Sequence, residues 1–320
     1  MANHEMQKQC GAEGIALLDP EEIARRFPWM RTEDLTIGSF GGGVEGIFDP
    51  VGLHAALKRK AIELGNGRVS FVNGEACGFR LSTNNRIEEV HYHCLEGGDS
   101  KTNTRTMEAL RCGAVVNCAG PFANSIVEML RRSMEASGHA ASRTLATLPV
   151  AARKRNIFVV KVPGGNSIEC PLVINPSGVF VRKEGPGNTF ICGFSPPEAD
   201  DPNQADNSCL DDVNYDEFDH VWAKLYERAE IFAGVKVISG WSGFYDYNYL
   251  DHNAILGPHS SVRNLIFANG FSGHGVQQAP AVGRAVSEII IDSKFVSLDL
   301  NRFRFTRFEE GQLVHEDNVI

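Results

Sequence analysis

Residues 269–277 read NGFSGHGVQ and join a short apolar run, predicted as a strand over 264–268, to an amphipathic helix predicted over 276–292. Gly270, Gly273 and Gly275 allow backbone amides to approach a ligand closely, and the first amides of a helix have no internal partner. Such an end favours an acceptor carrying negative charge, by roughly 0.3 to 1 kcal/mol when exposed and up to about 2 when partly buried. A phosphate or a reduced flavin ring has that character, while an ordinary tight turn satisfies the same spacing. If the helix begins near Gln277, Pro280 closes its first turn, where a missing N–H breaks no helical bond. His274 lies inside this loop; histidine is a common polar group at sites, and one flanked by glycines also caps turns.

A second glycine cluster, Gly41, Gly43 and Gly46, spells G-x-G-x-x-G but runs into IFDP rather than into a helix. Without a strand before it and a helix N-terminus after it, the pattern has nothing to offer a pyrophosphate, and we read turn or bulge glycines. His91 and His93 alternate onto one face of a strand with no matching acids or cysteines, which makes them surface residues rather than metal ligands.

The 320 residues carry 31 Lys and Arg against 40 Asp and Glu, a net charge of −9 that argues against a broad grip on a phosphate backbone. The length suggests about two domains. Eight cysteines, at 10, 77, 94, 112, 118, 170, 192 and 209, include no C-x-x-C pair, so they read as reduced, mostly buried thiols. No apolar run approaches the ~20 residues that cross a bilayer, and the first twenty residues show neither a signal-peptide core nor an Arg-rich presequence.

The elements that must position the glycine loop follow from pattern. Asp19 and Pro20 start a helix that Pro28 stops; Asp49 and Pro50 start another, with Leu53, Ala56, Leu57, Ala61 and Leu64 at helical spacing. Strands are predicted over 69–79 and 87–94 around a turn at 82–85, and over 114–119, an apolar run closed by Gly120 and Pro121. A helix over 124–132 follows, then four strands between 156 and 194 that form an antiparallel sheet. Residues 198–219 hold nine acids and no Lys or Arg, read as a solvated surface insertion. A helix over 212–232 buries Val213, Val221, Trp222, Leu225 and Ala229, and a strand-like VKVIS leads into the aromatic segment GWSGFYDYNYLDHN.

FANGFSGHGVQQAPAVGRAVSEIIID, VVNCAGPFA and WSGFYDYNYLDHNAILGPH together resemble the D-amino-acid oxidase and sarcosine oxidase family of flavoproteins, along the whole chain. More narrowly, ARRFPW, EGIFDP, the strand ending in VRKEG, YDYN and RFRFTRFEEG resemble a mitochondrial member that serves in assembly of respiratory complex I. The resemblance implies a mixed α/β fold with an FAD-binding part over 46–127 and 251–320 interleaved with a substrate part over 1–45 and 128–250. It implies noncovalent FAD, mitochondrial placement, and complex I subunits or assembly intermediates as partners. The family opens with a strand, a glycine-rich turn and a helix for the ADP half of FAD; no such unit precedes Asp19. These residues alone are therefore expected to hold FAD poorly.

Carried over position by position, the backbone around Ala76 meets the adenine, Ala119 and Gly120 line the cofactor, and Gly270, Phe271, Ser272, Gly273, His274, Gly275, Val276 and Gln277 cradle the isoalloxazine. Relatives that react quickly with oxygen carry a lysine where this chain has Gln277, so poor oxidase behaviour is expected. The cysteine of covalent flavin linkage is replaced near Gly243. For a small amino or N-methylated acid, Arg182 is the candidate carboxylate clamp, an internally paired or solvated arginine being the other option. Tyr245 matches a substrate-site tyrosine; Trp241, Tyr245 and Tyr247 offer an aromatic wall for an amine, with core packing the alternative for Trp241 and Tyr247. Asp246 and Asp251 are expected to hold the aromatic segment by hydrogen bonds. The narrower resemblance implies an assembly factor in which any flavin is structural as the biological role, with an amine dehydrogenase as the alternative.

Overall fold

Helix α1 (Ala2–Gln9) precedes strand β1 (Ile15–Leu18), and helix α2 (Pro20–Arg26) starts on a capping box in which the Asp19 side chain accepts from the Glu22 amide at 2.8 Å and Glu22 accepts from the Asp19 amide at 3.1 Å. The computed structural model describes residues 1–43, 45–95, 106–139, 145–203 and 210–316. Strand β2 (Gly38–Gly41) pairs antiparallel with β1, and helix α3 (Pro50–Gly65) begins only beyond the glycine cluster, capped by Asp49 and ended by Asn66 in the left-handed region. None of the apolar positions expected to pack from α3 is buried; Leu57 is 61% and Leu64 70% exposed. Their periodicity marks a face able to pack, and nothing among the described residues covers it.

The following chain builds a meander of β3 (Gly74–Leu81), β4 (Ile87–Cys94) and β5 (Met107–Arg111), all antiparallel. Strand β5 was not legible in sequence, because MEALR consists of good helix formers and becomes a strand by pairing with β4. Strand β6 (Val115–Asn117) leads into helix α4 (Ala123–Ala136), which packs on β3, and the Phe79 amide donates to the Ser133 hydroxyl at 3.0 Å.

Strands β7 (Val150–Lys161), β8 (Val173–Ile174), β9 (Val179–Lys183) and β10 (Thr189–Phe194) precede helix α5 (Glu217–Arg228) and the long strand β11 (Lys236–Asn248); the sheet order is β11-β7-β10-β9-β8. Residues 240–248 of the aromatic segment thus belong to β11. Val221, Leu225 and Ala229 are buried under α5, but Trp222 is partly exposed and Val213 precedes the helix. Residues 204–209 of the acidic stretch, with Cys209, lie outside the described residues. The described cysteines are free, yet only Cys170 and Cys192 are buried; Cys10 and Cys118 are exposed and Cys77, Cys94 and Cys112 lie between, which corrects the expectation of mostly buried thiols.

Strand β12 (Ile255–Pro258) pairs antiparallel with β13 (Leu265–Asn269), and β13 runs parallel to β6, Phe267 opposite Asn117. Leu265 and Phe267 face a core with Ile87, Val127, Leu130 and Phe305, while Ala268 faces a smaller one with Leu256, Val282 and Val286. The last two belong to helix α6 (Gly275–Asp292). This helix starts at Gly275, ahead of the Gln277 start that would leave Pro280 in the first turn, so Pro280 is interior and denies the Val276 carbonyl its helical donor.

By internal contacts the chain forms two units, Met1–Phe71 with Ile157–Phe194 and Asn214–Trp241, and Val72–Asn156 with Ser195–Val213 and Ser242–Ile320. Residues 46–71, 128–156, 195–213 and 242–250 thus group differently from the boundaries read in sequence.

Candidate functional site

The carboxyl ends of the parallel neighbours β6 and β13 both turn on glycine: Gly120 has φ +54° and Gly270 φ +70°. Ligands of open α/β sheets lie beyond such strand ends. At the first, Asn117 holds the turn, accepting from the Ala119 amide and donating to the Ala123 carbonyl, each at 3.0 Å. At the second, glycine is required twice over, since a Cβ on Gly270 would also stand 3.1 Å from the Val150 side chain and 3.3 Å from Asn248.

The loop after Gly270 is tied to β11. The Gly270 amide donates to the Asp246 carboxylate at 2.7 Å, the Ser272 amide to the Asp246 carbonyl at 3.0 Å, and the Asn248 amide to the Ser272 hydroxyl at 3.0 Å. Ser272 is fully buried at φ +48°, and the His274 amide donates to the Phe271 carbonyl at 2.9 Å. Most of the loop amides therefore face the protein. Those left for a ligand belong to Gly275, Val276 and Gln277, the first turn of α6, whose N-cap His274 makes no side-chain capping bond. Beside the loop, Asn269 is fully buried and neither end of its carboxamide meets a partner among the described residues. Burial raises the Asp246 carboxyl above its ordinary pKa, against the opposing pull of the Phe271 and Gly270 amides.

Alternation along β11 sends Tyr245 and Tyr247 to the face opposite Asp246, their rings 6.1 Å apart. There they meet two arginines of β7. Arg153 and Arg155 share one carboxylate, Asp201, at 2.8 and 2.7 Å; Arg153 and Asp201 are buried and Arg155 nearly so. Arg155 also donates to the Tyr245 hydroxyl at 2.8 Å, and its Nε is buried without a partner among the described residues. The Arg153 guanidinium lies 3.9 Å over the Tyr247 ring, whose hydroxyl meets Glu198 at 2.7 Å and His252 at 2.8 Å. Burial, more than any neighbouring charge, raises the Tyr245 phenol, so it stays a hydrogen-bond donor at neutral pH.

Arg182 sits on β9, ion-paired with Glu184 and donating to the Lys183 carbonyl. Trp241 is 46% exposed. Ala76 lies on β3 opposite Tyr92, beside a bulge; Val276 and Gln277 are exposed; a side chain at Gly243 would meet open space. His91 stands 3.7 Å from Glu89. Asp251 does hold the segment, accepting from Asn248 at 2.6 Å and forming a fully buried pair with Arg307 at 2.7 Å.

Arg153, Arg155 and Asp201 were missed. Their signal is ARKRN, where two cations at i and i+2 share one strand face, but the apolar pattern of the strand begins only after it, and Asp201 lies in an acidic stretch with the composition of a solvated insertion.

No described helix is long and apolar enough to cross a membrane. The sequence profile of the FAD dependent oxidoreductase (DAO) family matches residues 2–289. The chain is 37% identical to FAD-dependent oxidoreductase domain-containing protein 1 of Bos taurus and 35% identical to that of Xenopus laevis, over 99% of its own length but 64% and 63% of theirs. It therefore spans less than two thirds of these relatives. Among solved structures it is similar to L-proline dehydrogenase from P. horikoshii (22% identity, TM-score 0.74, 98% of this chain and 74% of that one) and to glycine oxidase from Geobacillus kaustophilus (18%, 0.68, 96% and 70%). The fold is thus that of the D-amino-acid-oxidase-like flavoproteins, and the chain belongs to the FAD dependent oxidoreductase family.

Proposed function

We propose that this protein is a flavin-dependent dehydrogenase of a small amino or N-methylated acid, with the carboxylate taken by Arg155 and Tyr245. The observation that carries the reading is that, among the described residues, two buried or nearly buried guanidiniums ion-pair with one buried carboxylate, and the Arg155 Nε has no partner. A ligand carboxylate balances the second cation and supplies the missing acceptor.

The residues present fit the flavin end of FAD. Free amides at the start of α6, positive-φ glycines at the ends of β6 and β13, and the unpartnered carboxamide of Asn269 are all groups a polar ring edge would satisfy. Gly275, Val276 and Gln277 would hold the electron-rich edge, with Ala119 and Gly120 alongside. When bound, the flavin supplies a hydride acceptor for a carbon next to an amine. The chain orients the donor: Arg155 and the Tyr245 hydroxyl fix the carboxylate, and the Tyr245 and Tyr247 rings offer faces for the amine. Gln277 brings no positive charge, so slow reaction with oxygen and transfer to another acceptor are expected.

The test compares Arg155→Met and Tyr245→Phe with the parent, reading ligand-induced thermal shift by small amino and N-methyl amino acids as well as flavin reduction. Loss of the carboxylate-dependent shift in both variants, with folding retained, is expected; an unchanged shift in Arg155→Met overturns the assignment.

A second reading rests on the motifs ARRFPW, EGIFDP, YDYN and RFRFTRFEEG: a mitochondrial role in complex I assembly, through binding of its subunits or intermediates. Cells carrying the Arg155→Met, Tyr245→Phe double variant separate the two. Normal complex I in those cells favours the binding role; failed assembly ties the role to the site.

A further inference from the structure

The sheet β11-β7-β10-β9-β8 ends on its longest strand, and the outer edge of β11 meets no other strand among the described residues. Natural edges are blunted by charge, proline, bulges or a covering element. The run Val237, Ile238, Ser239, Gly240, Trp241 has none of the first two: it is uncharged and proline-free. Val237 is 37%, Ile238 52% and Trp241 46% exposed. The run is bounded by Lys236 on one side and on the other by Ser242, whose hydroxyl donates to the Leu210 carbonyl.

We propose that this edge pairs with itself, joining two copies of the chain through antiparallel β11 strands about a two-fold axis at Ser239. The self-pairing is complementary. With Ser239 opposite Ser239, each Val237 faces the partner's Trp241 and each Ile238 the partner's Gly240. The first is the aromatic with β-branched pairing that stabilises neighbouring strands. The two Lys236 side chains lie about 20 Å apart along the strands, six residues at roughly 3.3 Å each, so no like charges meet despite the net charge of −9. An acidic or basic peptide would find no counter-charge on this run, whereas an uncharged apolar strand matches it, and β11 is such a strand. Each isologous contact closes on itself, giving a dimer rather than a filament. The short interface makes the dimer reversible.

The experiment follows the mass of the intact protein by light scattering from about 1 to 100 µM, the range in which small, transient interfaces dissociate. The parent is expected to shift from monomer to dimer. Ser239→Lys, which sets two ammonium groups face to face, is expected to remain monomeric with an unchanged circular dichroism spectrum. Ser239→Cys is expected to cross-link on mild oxidation beyond the parent, because directly opposite residues of antiparallel strands have Cα atoms about 4.5 to 5.5 Å apart, within disulfide reach. Ile238→Cys, opposite the partner's Gly240, is expected to cross-link no more than the parent. A parent that stays monomeric throughout, a dimer indifferent to Ser239→Lys, or equal cross-linking at 238 and 239 each overturns the proposal.

Discussion

The Asp246 carboxylate accepts the Gly270 amide at 2.7 Å, so a strand residue read in sequence as a brace for its own segment anchors the glycine loop that opens α6. Tyr245 and Tyr247, its neighbours, face the other way and join the arginine cluster. Strand β11 thereby carries a loop anchor on one face and substrate-recognition candidates on the other.

Asp246→Ala is expected to cost about 1.5 to 3 kcal/mol, the range for hydrogen bonds to a charged group, and to speed hydrogen exchange at Gly270 and Phe271. Asp246→Asn keeps one acceptor and restores part of the loss. Burial raises this carboxyl, so its ionisation opposes folding: its contribution is most favourable below the ordinary carboxylate pKa and declines as pH rises through the raised value. Denaturation midpoints of both variants across the acidic range check the sign.

The arginine cluster is asymmetric. Removing Arg155 leaves Arg153 and Asp201 as a balanced pair, whereas removing Asp201 leaves two guanidiniums with no ion-pairing carboxylate among the described residues. Asp201→Ala is therefore expected to destabilise by about 3 to 5 kcal/mol, as for a broken buried pair, and Arg155→Met by a small fraction of that. Urea titrations of the two variants give the comparison directly.

His259 is buried, its Nδ1 accepts from the Ser261 and Val262 amides at 2.9 and 3.2 Å, and it stacks on Phe305. Burial lowers its pKa from 6.5 to about 4. Stability from the neutral ring is fully present above pH 6.5 and is lost as pH falls toward 4, by about 3 kcal/mol at most. His259→Asn retains an acceptor for the turn and is expected to flatten this slope in thermal unfolding between pH 7 and 4.

Arg307 and Asp251 form a pair with both side chains fully buried, and Asp251 also accepts from the Val314 amide at 3.1 Å. Burial alone would raise the Asp251 carboxyl, but hydrogen bonds from Arg307 and Val314 outweigh it and hold the pKa below the ordinary value. Arg307→Met is expected to cost about 3 to 5 kcal/mol and to increase proteolysis near residues 313–316; adding Asp251→Asn recovers part of that stability.

Local signals were legible wherever one stretch of chain decides its own conformation. Asp19 and Glu22 announce a capping box, Asp49 with Pro50 starts α3, and the strand, glycine loop and helix around Gly270 can be read directly from NGFSGHGVQ. These depend on backbone amides within a few residues and on helical or strand periodicity, both written in sequence. MEALR shows the limit: its local preference is helical, and only pairing with β4 makes it β5.

The family and the mixed α/β fold also followed from motifs distributed over the whole chain, each carried by local turn chemistry. Tertiary structure alone decided which arginine accompanies Tyr245, because Arg155, Asp201 and Tyr245 are separated by 46 and 90 positions from the first to each of the others. It also decided which loop amides are spent on Asp246 and which stay free at α6. A residue's type and spacing state what chemistry it can do; whether that capacity is satisfied internally, as at Arg182 with Glu184, or left open, as at the Nε of Arg155, depends on partners that only folding brings within reach.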